Sequence, residues 1–178
     1  MSVQRIARRY ASALLLSATE VGMSETFERD FATILRHIDV SPDLRMLLRS
    51  PVIESWRKKK VFDEVFGPQV APATLGFISL VADKGRETYL RDIIAEYSNL
   101  LDKRRGVVRA VITSAVELDE TTRTKVVEGL AASTKRTVIA TWKTDPAVLG
   151  GIVVRIGDTV LDGTIRHQLV ELKERLRG

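Results

Sequence analysis

Apolar residues recur every three to four positions up to about residue 105 and at every second position after it, so the chain changes architecture near Gly106. The first stretch predicts six short helices. Over residues 3–19, Ile6, Tyr10, Ala13 and Leu14 share a face with Val3, Ala7 and Ala18, while Arg5, Arg8, Arg9 and Ser12 lie opposite. Leu15 and Leu16 fall outside that stripe, which makes the apolar arc wider than one packing partner requires. Ser24 is placed to cap a second helix with the stripe Phe27, Phe31, Ile34, Leu35 and Ile38. Ser41-Pro42 opens a third, which buries Leu44, Leu47 and Leu48 and stops before Pro51. A fourth carries Val61, Phe62, Val65 and Phe66 and ends at Gly67-Pro68. In the fifth, over 72–83, Ala73, Leu75, Phe77, Ile78, Leu80, Val81 and Ala82 leave only Gly76, Ser79 and Asp83 as a polar strip. The sixth has the stripe Tyr89, Leu90, Ile93, Ile94, Tyr97, Leu100 and Leu101. It closes on Lys103-Arg104-Arg105 and Gly106, with cations and then a glycine at a carboxyl end.

Beyond Gly106 the pattern predicts strand, helix, strand, hairpin and helix. Val108, Ala110, Ile112, Ser114 and Val116 alternate with polar neighbours. Asp119 can cap a threonine-rich helix that buries Val126, Val127, Leu130 and Ala131. Val138, Ala140 and Trp142 alternate on a second strand, and Ile152, Val154 and Ile156 on a third, which Gly157-Asp158 turns back into Val160 and Leu161. Ile165, Leu169, Leu172 and Leu176 stripe a last helix. The fold class expected is therefore α+β: an amino-terminal six-helix bundle over 1–105, then a small α/β domain with a mixed sheet over 106–178.

Composition narrows the chemistry. With 44% hydrophobic and 29% charged residues in 178, the chain is an ordinary globular one. Its 28 basic and 23 acidic residues give a net charge of +5, far from a polycation. Residues 1–105 hold 17 basic and 14 acidic residues and 106–178 hold 11 and 9, so the halves differ in architecture and hardly in charge. There is no cysteine, which removes disulfides, thiolate catalysis, zinc fingers and iron–sulfur clusters. The densest apolar run, Leu75 to Ala82, is too short to span a bilayer, and the amino terminus reads as a mature amphipathic helix rather than a leader, so a soluble intracellular protein is expected.

No phosphate-binding glycine loop, dinucleotide fingerprint, metalloprotease motif or nucleophile elbow is present. No catalytic, metal-binding or cofactor-binding residue is therefore expected. Arg57-Lys58-Lys59-Lys60 beside Trp56 suits either a solvated helix face, the favoured reading, or a grip on phosphates. The second reading, joined by the arginines of the first helix, leaves a basic nucleic-acid-binding module as the alternative function. His37 and His167 read as surface or satisfied residues. The wide apolar faces of the first and fifth helices suit two arrangements that periodicity does not separate, the interior of a tight bundle or a groove completed by a partner helix.

Three segments are distinctive together. They are Ala7-Arg8-Arg9-Tyr10-Ala11-Ser12-Ala13-Leu14, Arg104-Arg105-Gly106-Val107-Val108-Arg109-Ala110, and the run from Asp145 through Gly150-Gly151, Gly157-Asp158 and Asp162-Gly163 to Arg166. In order and spacing they resemble the family of the delta subunit of the bacterial F-type ATP synthase, whose mitochondrial counterpart is the oligomycin-sensitivity-conferring protein. Thr164 stands where that family often has serine, and either residue can cap a helix. The resemblance implies a non-catalytic stator subunit with no cofactor. It would link the alpha subunits of the catalytic head, with beta as a further neighbour, to the b subunits of the peripheral stalk. Its place would be the cytoplasmic face of the bacterial plasma membrane, reached only through the complex, with no nucleic acid bound. It also implies a groove between the first and fifth helices for an alpha-subunit amino-terminal helix, with Tyr10, Ala11, Leu14, Leu15, Phe77, Leu80 and Val81 as contacts. Gly150, Gly151, Gly157, Asp158, Asp162 and Gly163 read as structural, in turns and at the start of the last helix.

Overall fold

The computed structural model describes residues 2–148, 150–157 and 159–164. Seven α-helices and one four-stranded mixed sheet are present among them, an α+β architecture. The contacts divide the chain between Leu101 and Asp102 into two compact units.

The first unit holds α1 (Val3–Glu20), α2 (Ser24–Val40), α3 (Pro42–Arg49), α4 (Ser55–Phe66), α5 (Pro72–Asp83) and most of α6 (Leu90–Arg105). The stripes expected from the sequence meet in one core. Ala11, Leu14 and Ala18 of α1 join Phe31 and Ile34 of α2, Leu44 and Leu48 of α3, Phe62 and Phe66 of α4, Ile78 of α5, and Ile94 and Tyr97 of α6. The Tyr97 ring stands edge-on to Phe31 at 5.3 Å, the favoured arrangement for two quadrupoles. Ser41 caps α3 as its spacing predicts, its Oγ accepting from Leu44 N at 3.2 Å ahead of Pro42. Two helix starts differ from the expectation. Ser24 lies inside α2 without capping it, because Met23 N already donates to Ala18 O and the chain re-enters helix one residue early. Tyr89 belongs to a short 3-10 turn, Glu87–Tyr89, that precedes α6.

Two buried polar ties hold α4 and α5. Asp30 of α2 accepts from Ala71 N at 2.8 Å and from Thr74 Oγ1 at 2.6 Å through Oδ2. It supplies from another helix the cap that Ala71 lacks, and it satisfies the only fully buried polar side chain of α5. Lys58 corrects the reading of the basic run as a solvated face. It is 1% exposed, and its Nζ donates to Ser50 O at 2.7 Å and to Glu87 Oε1 at 2.5 Å. The reason is geometric: Lys58 sits four residues before Phe62 and eight before Phe66, on the face of α4 that enters the core. Lys59 pairs with Asp83 at 2.9 Å in a half-exposed position, and Arg57 lies over the Trp56 ring.

The second unit opens where α6 ends. Gly106 takes φ +66°, the left-handed conformation that stops a helix and that a side chain disfavours. The division falls ahead of it because Asp102, nearly buried, accepts two hydrogen bonds from the Arg109 guanidinium, at 2.5 and 3.2 Å. β1 (Val107–Ser114) pairs in parallel with β2 (Thr137–Thr144) across the helix α7 (Glu120–Thr134). It pairs antiparallel with β3 (Ile152–Ile156), which pairs antiparallel with β4 (Thr159–Asp162), giving the order β2-β1-β3-β4. The register aligns Ile112 with Trp142 and Val154, and Ala110 with Ala140 and Ile156, and these residues pack with Val126 and Leu130 of α7. Asp119 caps α7 as expected, accepting from Thr122 N. Two expectations are corrected here. Val127 and Ala131 are only half-buried, and so is every apolar residue of the α7 stripe, because the helix lies against β2, a strand at the edge of the sheet. Val116 lies outside β1, since Ser114 Oγ donates to Val116 O and turns the chain. The predicted last helix lies outside the described residues.

Breaking the Lys58–Glu87 pair strands a charge in the core. Lys58→Met is expected to lower unfolding free energy by about 3 kcal/mol. Lys58→Met with Glu87→Leu should recover more than half of that loss. Urea unfolding of both variants measures it, and a double variant as unstable as the single one contradicts the assignment.

Candidate functional site

The sequence left open whether the apolar faces of α1 and α5 seal against each other. They seal only on their inner sides. On α5, Ile78, Val81 and Ala82 are buried while Leu80 is 48% exposed. On α1, Ala7, Ala11, Leu14, Leu15 and Ala18 are buried, whereas Ala13 and Leu16 face out. Ala7 of α1, Val81 of α5 and Ile93 of α6 form a small cluster with Tyr10, Phe77 and Tyr89 at its margin. Above this seam runs an open groove of about 400 Å³, lined by Arg9, Tyr10, Ala13, Leu14, Ser17, Phe77 and Leu80.

Of the seven contacts implied by the resemblance, Tyr10, Leu14, Phe77 and Leu80 line this groove together. Ala11, Leu15 and Val81 do not. Ala11 and Leu15 join the main core and Val81 packs with Ala7 and Ile93, so all three belong to the packing beneath the groove. A residue one position along a helix points about a quarter-turn away, which is enough to move Val81 to the core while its neighbour Leu80 stays outside. The hydrophobic stripe held Ala13, which the resemblance did not count among the contacts; it missed Ser17 and placed Arg9 on the opposite face. Their helical spacing of four is the signal that brings Arg9, Ala13 and Ser17 onto one wall with Tyr10 and Leu14.

The glycine-rich segment serves the sheet. Gly150 and Gly151 both take positive φ, 67° and 79°, ahead of β3. At Gly151 a Cβ would stand 2.3 Å from Gly163 O, so the chain after β4 approaches too closely for any side chain. Gly163 N donates to Ile152 O at 2.9 Å, and Asp162 Oδ1 accepts from Thr164 N at 2.9 Å. Gly157, at φ 57°, begins the turn between β3 and β4. Asp158 and His167 lie outside the described residues. His37 is half-buried, with Nε2 2.9 Å from Gln69 Oε1. Among the described residues no group of three or more acidic or histidine side chains is placed to hold a metal ion.

A family model described as "ATP synthase delta (OSCP) subunit" matches residues 6–176. The chain belongs to the ATP synthase delta (OSCP) subunit family. It is 40% identical over 176 residues to the ATP synthase subunit delta of Chlorobaculum parvum, covering 99% of this chain and 97% of the relative. It is 42% identical to that of Chlorobium luteolum with the same coverage. At 16% identity it superposes with a TM-score of 0.77 on a chain in the cryo-EM structure of the Toxoplasma gondii mitochondrial ATP synthase hexamer, covering 97% of each chain, a likeness of fold. The delta (OSCP) subunit is a structural component of the F-type ATP synthase and does not catalyse the reaction.

Adjacent positions on α5 should part company on mutation. Leu80→Glu, on the exposed wall, is expected to change unfolding free energy by less than about 0.5 kcal/mol. Val81→Glu should cost about 4 kcal/mol or abolish folding, since it buries an unpaired carboxylate. Equal losses by chemical denaturation would show that the groove wall is core.

Proposed function

We propose that this chain is the stator adaptor of an F-type ATP synthase, tying the catalytic head to the peripheral stalk so that the head does not turn with the rotor. On this reading residues 1–105 form a six-helix bundle that holds the head, and residues 106–178 receive the b subunits. The α1/α5 groove takes the amino-terminal helix of an alpha subunit. The subunit sits at the cytoplasmic face of the plasma membrane through its partners alone. No helix among the described residues is long and apolar enough to cross a bilayer, which agrees with attachment through other subunits.

The observation that carries the proposal is the apolar groove between two helices whose inner faces are already packed. Such a trough fits an amphipathic helix laid along it. Each apolar side chain seated there would contribute about 1.5–3 kcal/mol before the cost of association is met, so a few suffice for stable attachment. Static attachment needs no reactive group. Two of the four cations in the basic run are engaged within the fold, Lys58 buried on Glu87 and Lys59 paired with Asp83, which leaves that run a weaker grip on phosphates.

Calorimetric titration with a synthetic peptide of the alpha-subunit amino terminus from the same complex tests the reading. The full chain should bind it, and Leu80→Glu or Phe77→Glu should weaken binding at least about a hundredfold with circular dichroism unchanged. Undiminished binding by the folded variants would refute the groove. Residues 1–105 expressed alone should fold and keep this binding while losing the b subunits. A folded fragment that ignores the peptide would refute the division of labour.

A further inference from the structure

The groove has an electrical polarity that its apolar lining does not explain. Along α5 its lining is neutral, Phe77 and Leu80. Along α1 it is cationic at one end. Arg9 lines it directly, with its guanidinium 5.5 Å from the centre of the Tyr10 ring. Arg5 stands one turn earlier on the same stripe and Arg8 beside Arg9, and all three are exposed. Among the described residues none of the three guanidinium groups makes a hydrogen bond or an ion pair. α1 carries no acidic residue in its first turn, its Ser2 cap makes no side-chain hydrogen bond, and its only carboxylate, Glu20, is its last residue. This arrangement is unfavourable for an isolated helix. Free amides at the amino end already carry partial positive charge, and three arginines over the first two turns add to it. Among the described residues no carboxylate pairs with these guanidiniums, and a ligand of the groove would bring the negative charge they lack.

We infer that the groove is built for an amphipathic helix with carboxylates flanking its apolar stripe, seated so that those carboxylates meet Arg9 and Arg5. Arg9 is the specificity-determining residue. This rests on the reading that the groove takes a helix. Apolar burial supplies attachment but discriminates poorly among oily helices and between their two directions. A charge at one end of the trough does both, because a helix laid in the wrong sense, or one bearing lysine there, sets like charges together in a partly dried cleft. Arg9 is suited to this task. Its stacking on Tyr10 restrains the long side chain, so less freedom is lost when a carboxylate arrives, and its planar fork matches a carboxylate in a bidentate way.

Three synthetic helices test this. They share one leucine and isoleucine stripe and differ only in the residues flanking it over their first two turns, which are Glu, Gln or Lys. Each is titrated by calorimetry at low salt into the full chain and into its Arg5→Gln/Arg9→Gln, Arg9→Glu and Leu80→Glu variants. The Glu helix should bind about fivefold more tightly than the Gln helix and more than about tenfold more tightly than the Lys helix. Arg5→Gln/Arg9→Gln should level the series, and Arg9→Glu should turn the preference toward Lys. Equal affinities for the unmodified chain, or a preference that survives Arg5→Gln/Arg9→Gln, overturn the charge assignment. If Leu80→Glu still abolishes binding in that case, the groove itself stands. If no helix binds, or if Leu80→Glu leaves binding unchanged, the groove reading fails and this inference with it.

Discussion

Everything in the amino-terminal unit turns on how α5 divides its apolar surface. A helix hydrophobic almost all round has more oily area than its neighbours can cover. Here Ile78, Val81 and Ala82 go inward, while Phe77 and Leu80 remain at the seam with α1. The small residue Ala7 on α1 is buried with Val81 there, and the larger Tyr10 and Leu14 line the groove. A helix left partly uncovered would tend to shift or fray. α5 is held at its start by the Asp30 carboxylate on Ala71 and Thr74, and at its end by Lys59 on Asp83. The buried bonds from Asp30 count for more, because an exposed ion pair contributes little. The α5 wall of the groove is thus tied at both of its ends.

The second unit solves a different problem with backbone. Its sheet has only α7 on one face among the described residues, and that helix buries none of its residues fully. Close approaches supply part of the cohesion. Gly151 lets the segment after β4 pass within a distance no Cβ would permit, and the Gly163 amide bonds to Ile152 across the same gap. The glycines that make this part of the sequence distinctive therefore report packing rather than chemistry.

Element types and most boundaries were legible in the pattern. Pro42 and Pro72 mark helix starts, Gly106 marks a stop, and the switch from a period of three to four to a period of two marks the sheet. Periodicity did less well wherever the answer depends on a neighbour. It says that Leu80 and Val81 are both apolar, and only the placement of α1 decides which is sealed. It read Lys58 as solvent-facing because a lysine amid lysines usually is, and the compensating Glu87 lies 29 residues away. It set Arg9 opposite the stripe because a hydrophobic scale gives a cation no place in a groove. Of the seven positions carried over by resemblance, Tyr10, Leu14, Phe77 and Leu80 line the groove. Ala11, Leu15 and Val81 each lie next to one of these in sequence, a quarter-turn away, and pack beneath it.

The chain lacks cysteine, so a single one can report on a single place. Leu80→Cys in the assembled ATP synthase, treated with a short thiol-specific cross-linker and then mapped by mass spectrometry, tests most directly whether the groove is an occupied seat. The account predicts one dominant product, joining position 80 to the amino-terminal segment of an alpha subunit, and protection of the thiol from maleimide in the complex but not in the isolated chain. A thiol equally reactive in both states, with no product to the alpha subunit, would contradict it.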